Sequence, residues 1–200
     1  MLGKDAFGYL SLVFTVLSYS PYVWSMLRGK TCPHIFSWII WALVSAIVSI
    51  AQFIAYAGPG AWAPGLTAAF SLGVIFLSFS QKADWSITRS DWVMFIGGLS
   101  IIPLWYITSS PLVAAILATL IDAIAYYPTF RKFYHKPHEE MIFMYVIANM
   151  KHVASIFAIV EYSVTTLVFP VCIFAMNISL IAMLAYRRRV IAQEVPHVSG

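Results

Sequence analysis

SYSPYVWSMLRGKTCPH, residues 18–34, and AYYPTFRKFYHKPH, residues 125–138, carry one pattern twice. Each leads an apolar stretch through a proline, Pro21 or Pro128, into a cationic turn, Arg28 or Arg131-Lys132, and then into Pro33-His34 or Pro137-His138. A third pair, Pro64 and Pro170, extends the match, and the three offsets are 107, 104 and 106 residues. Proline is common in membrane helices, and ten of them in 200 residues produce some coincidences. Three ordered matches at nearly one spacing make duplication the better account.

The surroundings of these two segments say what solvent the chain lives in. It is 61% hydrophobic and only 10% charged, with a mean hydropathy of +0.83, far from a water-soluble domain. A spanning helix needs about 20 mostly apolar residues, and seven stretches qualify: Ala6 to Leu27, Ile35 to Ala57, Ala61 to Ser80, Trp92 to Thr108, Pro111 to Phe133, Met141 to Tyr162 and Val164 to Tyr186. The intervening segments are short and carry proline, glycine or charge. The first stretch lacks a small-residue cleavage site and is read as a retained helix rather than a signal peptide.

Orientation follows from the cations, which are retained on the cytoplasmic side. If seven helices alternate, Arg28, Lys30, Lys82, Arg89, Arg131, Lys132, Lys136, Arg187, Arg188 and Arg189 share one side, leaving Lys4 opposite and Lys151 within a helix. Losing or merging a helix would scatter those charges over both faces. The census therefore predicts an outer N-terminus and a cytoplasmic C-terminus, in the plasma (inner) membrane. The net charge of +4 reads as a topology signal met by lipid phosphates, not as a nucleic-acid surface. Cys32 and Cys172 lie in a basic loop and an apolar run, so neither suggests a disulfide or a metal cluster.

The duplication predicts an all-α membrane fold of two parallel three-helix repeats joined by a linker helix, with the fourth helix returning the chain for the second copy. The units are 1–81 for the first repeat, 82–110 for the linker, 111–189 for the second repeat and 190–200 for a cytoplasmic tail. In repeat spacing, orientation and the helix-embedded Pro21 and Pro128, nearly the whole chain resembles the PQ-loop superfamily of SWEET sugar transporters and, more distantly, the PnuC-type vitamin transporters. The glutamine that follows the proline in that family is Tyr22 in one copy and Thr129 in the other. The resemblance implies hinges at Pro21 and Pro128, alternating access, homo-oligomers, and a pocket using an Asn in the third helix of each triplet. Asn177 matches that Asn, and its partner position is Ser71.

Ionisable and amide groups at membrane depth are costly and face a bundle interior, which makes them the functional candidates. Asp122, Lys151, His152 and Asn177 fall at one depth. In the sixth helix Tyr145, Asn149 and His152, at i, i+4 and i+7, form one polar stripe, and the second helix offers Trp38, Trp41, Ser45, Ser49 and Gln52. The expected binding set for a small polar solute is Trp41, Ser45, Ser71, Tyr145, Asn149, His152 and Asn177. Trp38, near the start of its helix, suits an interfacial belt as well as a pocket. Lys151, one position from His152, is expected to face a different neighbour, with Asp122 as its natural ionic partner. That pair reads either as a fixed bridge locking two helices or as a site whose charge changes during transport. His138-Glu139-Glu140 reads as the first turn of a helix, and Arg187 to Arg189 as a headgroup anchor.

The composite expectation is a carrier or facilitator for a sugar-, nucleoside- or vitamin-like metabolite, with no cofactor and no metal, whose partners are the solute and membrane lipids. An intramembrane enzyme acting through Asp122, Lys151 and His152 is the competing class, but no Ser-His-Asp order, no HExxH pair and no acidic cluster accompanies them. A retinal protein would carry its lysine in the last helix rather than the sixth, and an accessory membrane subunit is the remaining alternative. Topology is directly testable: green fluorescent protein fused after Gly200 is expected to fluoresce, and alkaline phosphatase fused there to be inactive. The opposite pair of results overturns the orientation.

Overall fold

Hydrocarbon offers no hydrogen bonds, so a chain this apolar must satisfy its own backbone, and it does so with helices. The computed structural model describes residues 3–30, 33–80, 87–135, 137–139 and 142–194. Cys32, Lys82, Lys136, Glu140 and Met141 lie outside the described residues, as does 195–200 of the tail. Among the described residues seven α-helices run in order: α1 (Lys4–Leu27), α2 (Ile35–Ile54), α3 (Trp62–Ser80), α4 (Arg89–Thr108), α5 (Pro111–His135), α6 (Ile142–Ala158) and α7 (Val164–Glu194). Six helical segments are long and apolar enough to cross a membrane, α3 counting from Gly58. The chain is an integral membrane protein. Its outer surface agrees with that solvent: Phe76, Tyr106 and Ile107 are 72%, 87% and 76% exposed.

Several boundaries differ from the sequence reading, two of them by four residues or more. The sixth helix stops at Ala158 rather than reaching Tyr162, and has only 17 residues. Residues beyond it turn instead into a backbone exchange, in which Val160 N–H donates to the Ala57 carbonyl at 3.0 Å and Glu161 N–H to that of Tyr56 at 3.2 Å. The seventh helix does not end before the arginines but continues through them to Glu194, so much of the expected tail is helical. His138 and Glu139 belong to a 3-10 turn, Pro137–Glu139, not to the first turn of α6.

Helix ends are fixed by local chemistry. Thr88 caps α4 in a reciprocal box, accepting from Asp91 N–H at 3.3 Å while its own N–H donates to the Asp91 carboxylate at 2.7 Å. Inside the helices, hydroxyls return to carbonyls one turn earlier: Thr15 to Ser11, Thr67 to Ala63 and Thr119 to Ala115.

Packing joins α1 to α6 and α3, α2 to α3, α5 and α4, and α7 to α5 and α6. The main apolar core gathers Phe36, Ile40, Val44 and Val48 of α2 with Ile101 of α4, Ala114, Ala115 and Ala118 of α5, and Ile173 of α7. The alanine face of α5 lets α2 approach closely, the usual device where helices associate without a hydrophobic drive. Two ends of the bundle can be distinguished. At the Gly58 end, Lys4 donates to the Tyr162 hydroxyl at 3.2 Å and the corners after α2 and α6 interlock. At the Pro33 end, His34 lies 3.7 Å from Asp91, and Arg187 donates to the Tyr134 carbonyl at 3.0 Å.

The interlock depends on missing side chains. Gly58 has φ +58°, and a Cβ at Gly60 would stand 2.6 Å from Ile159 Cγ1 and 3.1 Å from its Cα. Backbone cannot retreat as a side chain can, so Gly60→Ala is expected to cost about 1–3 kcal/mol by overpacking. Gly73→Ala, with nothing within 4 Å of the added carbon, should be neutral or stabilising by up to about 1 kcal/mol. Thermal melts of both variants in one detergent check this; equal melting temperatures overturn the role given to Gly60.

Candidate functional site

Between the helices lies a cavity of about 560 Å³, within the range of about 300–1,000 Å³ typical of small-molecule sites. It reaches Ser25 in the last turn of α1 and Trp38 and Met144 in the first turns of α2 and α6, and so extends toward the Pro33 end. In the other direction it stops at Gln52, Ser155, Pro64 and Pro170. There two cross-bundle hydrogen bonds form its floor. Gln52 Nε2 of α2 donates to the Thr166 carbonyl of α7 at 2.9 Å, and Ser155 Oγ of α6 donates to the Gly60 carbonyl at 2.8 Å. The interlocked corners lie immediately behind.

One wall is aromatic. Tyr19 and Tyr22 of α1 face Trp38 and Trp41 of α2, with Trp38 Nε1–H donating to the Tyr22 hydroxyl at 3.2 Å. The two tryptophan rings meet edge to face at 5.1 Å between centroids, and Tyr22 lies 4.8 Å from Trp38. Trp38 is 4% exposed, which decides between its two readings: it is a cavity residue, not a belt residue. Trp41 is partly exposed and lines the same space.

The facing wall is polar and charged. Asp122 and Tyr126 of α5, Lys151 and His152 of α6, and Asn177 of α7 all line the cavity. The Tyr126 hydroxyl donates to Asn177 Oδ1 at 2.8 Å, and Asn177 Nδ2 donates to Asn149 Oδ1 at 3.0 Å. This relay holds the Asn177 amide plane in place. His152 sets its ring edge to face against Phe169, 6.1 Å between centroids.

Of the residues named from sequence, Trp41, Ser45, Tyr145, His152, Asn177, Asp122, Lys151 and Pro21 converge on this one cavity. Three others need correction or comment. Ser71 is fully buried, but its hydroxyl donates to the Thr67 carbonyl at 2.9 Å, and Thr67, one turn earlier, lines the cavity instead. Asn149 stands behind Asn177 and borders an apolar groove between α1, α6 and α7. Pro128 lies within α5, but its side chain is outside the described residues; its neighbour Thr129 is on the cavity.

Lys151 does not face elsewhere: the cavity spans residues 144, 145, 148, 151, 152 and 155, a face broad enough to include both it and His152. Nor do Asp122 and Lys151 form a locking bridge. No nitrogen of one comes within 4.0 Å of an oxygen of the other, and α5 and α6 do not pack together. The two charges share the cavity and attract each other across it without a direct bridge.

Sequence reasoning missed Tyr19, Tyr22, Thr67, Tyr126 and Thr129. Most were within reach of the stripe test applied to α6. Ser18, Tyr22 and Ser25 recur at i, i+4 and i+7, as do Ala125 and Thr129 at i and i+4, with Asp122 and Tyr126 also four apart. Among the described residues no group of three His, Cys, Asp or Glu side chains gathers to hold a metal ion. Comparison with protein-family models, curated proteins and solved structures finds no match to this chain.

The absence of an Asp122–Lys151 bridge has a measurable consequence. Breaking a buried ion pair by removing one partner costs about 3–5 kcal/mol. Asp122→Asn and Lys151→Met are each expected to change stability by less than about 1 kcal/mol, because the two charges attract across the cavity but share no hydrogen-bonded bridge for either loss to break. A loss of 3 kcal/mol or more in thermal or denaturant unfolding for either variant shows that the two side chains do hold the helices together.

Proposed function

We propose that this protein is a membrane carrier for a small polar metabolite, built as two parallel helix triplets joined by α4. The observation that carries the proposal is the cavity: it is closed at the Gly58 end by hydrogen-bonded corners, it reaches the Pro33 end, and it is lined by polar groups at mid-depth. A carrier needs such a site, open to one side at a time.

Several features support the two-triplet reading. The described helix starts recur at one spacing: Lys4 and Pro111 are 107 apart, Ile35 and Ile142 are 107 apart, and Gly58, the first residue of the 3-10 turn leading into α3, lies 106 before Val164. Packing is reciprocal as well. As α1 packs on α6, α5 packs on α2; α3 contacts α1 and α2 as α7 contacts α5 and α6. The floor bonds follow the same exchange, α2 to the start of α7 and α6 to the start of α3. The resemblance to PQ-loop and SWEET-type transporters rests on this arrangement together with Pro21 and Pro128. With the cations at the Pro33 end assigned to the cytoplasm, the conformation is inward-open, and the proline-bearing halves of α1 and α5 are the parts that move to close it.

Purified protein reconstituted into liposomes tests the proposal. Time-dependent accumulation of a labelled solute, drawn from a panel of sugars, nucleosides, vitamins and amino acids, is expected above empty liposomes. Pro21→Ala should lower flux several-fold and weaken solute binding by less, since Pro21 lines the cavity but its larger effect is on the helix that moves. Folded protein that moves no member of the panel overturns the carrier reading.

A further inference from the structure

The charged wall narrows the class of solute. Asp122 and Lys151 line one cavity, on helices that do not pack together, with no ion pair to each other. While the cavity reaches the Pro33 end, water can solvate both. An alternating cycle must at some point close that end and expel water, and at that moment two opposite charges without a hydrogen-bonded bridge between them are costly in hydrocarbon. A neutral solute leaves the two ions only their mutual attraction across the cavity. A cation or an anion meets one and strands the other.

We infer, on the carrier reading above, that the solute is a zwitterion with a flat body: its ammonium pairs with Asp122, its carboxylate with Lys151, and its ring lies against Trp41 and Trp38. Two ion pairs then form within the occluded cavity and no net charge is added to it. The opposite wall supplies the matching apolar surface, because Trp41 is 39% exposed, with Trp38 held edge-on at 5.1 Å and braced by Tyr22. The Asn177 carboxamide, oriented by Tyr126 and Asn149, and the imidazole of His152 remain to position the carboxylate end. The volume of about 560 Å³ accommodates an aromatic amino acid with room for residual water.

Counterflow of radiolabelled phenylalanine in proteoliposomes is the test, with phenylethylamine and phenylacetate as competitors that each lack one charge, and labelled uridine as a neutral probe. Phenylalanine is expected to exchange, unlabelled tyrosine to block it, and the two half-ligands at the same tenfold excess to leave most of the flux. Asp122→Asn and Lys151→Gln should each lower phenylalanine flux at least tenfold with unchanged melting temperature, and the double variant should do no better. Recovery in the double variant means the two side chains serve each other and overturns the inference. Uridine flux that is equal in wild type and both single variants, with no phenylalanine flux, leaves a carrier but removes the zwitterion. Absence of flux for every probe sinks both readings together. Should either variant fail to fold, the competitor series on the wild-type protein decides.

Discussion

The structure depends on one constraint: in hydrocarbon, a polar group without a partner is more costly than almost any packing defect. The helices meet it for the backbone, and serine and threonine hydroxyls meet it either by bonding back along their own helices, as Thr15 and Ser71 do, or by reaching a neighbouring carbonyl, as Ser155 does. Ser71 shows how far the rule reaches. Placed where a resemblance implies a ligand-binding amide, a serine can satisfy itself on the Thr67 carbonyl and so contributes nothing to a guest. Asparagine cannot do this as easily, having two donors and an acceptor to place. Asn177 therefore draws in Tyr126 and Asn149 and becomes the centre of a network.

The same constraint explains why the bundle is sealed at one end and hollow toward the other. At the Gly58 end the helices stop and their terminal amides and carbonyls must find partners, since α6 ends at Ala158 while still near the bundle. The corners after α2 and α6 solve this jointly by exchanging backbone hydrogen bonds, which is feasible because Gly58 and Gly60 leave no Cβ between them and Val160 or Ile159. Toward the Pro33 end the helices stand apart around the cavity, and polar side chains line that space.

How much of this was legible in the sequence varies with the range of the interaction involved. Helix number and approximate extent followed from hydropathy, because burial in lipid acts on every residue of a span. The end of α6 was misjudged because its last apolar residues, Ile159 and Val160, are as hydrophobic as a helix would require; what takes them out is a tertiary exchange with residues about a hundred positions earlier. The run of α7 through Arg187 to Arg189 was missed for the opposite reason, since charge marks the edge of the membrane but does not terminate a helix. Helical periodicity placed Trp38, Trp41, Ser45, Gln52, Tyr145 and His152 on the faces that line the cavity. It failed for Lys151, where a face defined by one line of residues proved too narrow for a cavity that takes in adjacent positions.

The two walls also differ in a way that the duplication does not predict. In the two-triplet reading, α1 with α2 and α5 with α6 began as equivalents, yet Tyr19, Tyr22, Trp38 and Trp41 stand against Asp122, Tyr126, Lys151 and His152. A cavity with like walls would bind a solute in two related orientations. Here the ring-bearing wall and the ion-bearing wall favour one pose for a guest, because ring stacking is available on the first and charge-assisted hydrogen bonding on the second. On the carrier proposal, divergence between the copies would confer directionality on binding while the paired scaffold is kept. Under that reading the prolines and the floor bonds are the paired elements, and the side chains that line the cavity are the unlike ones.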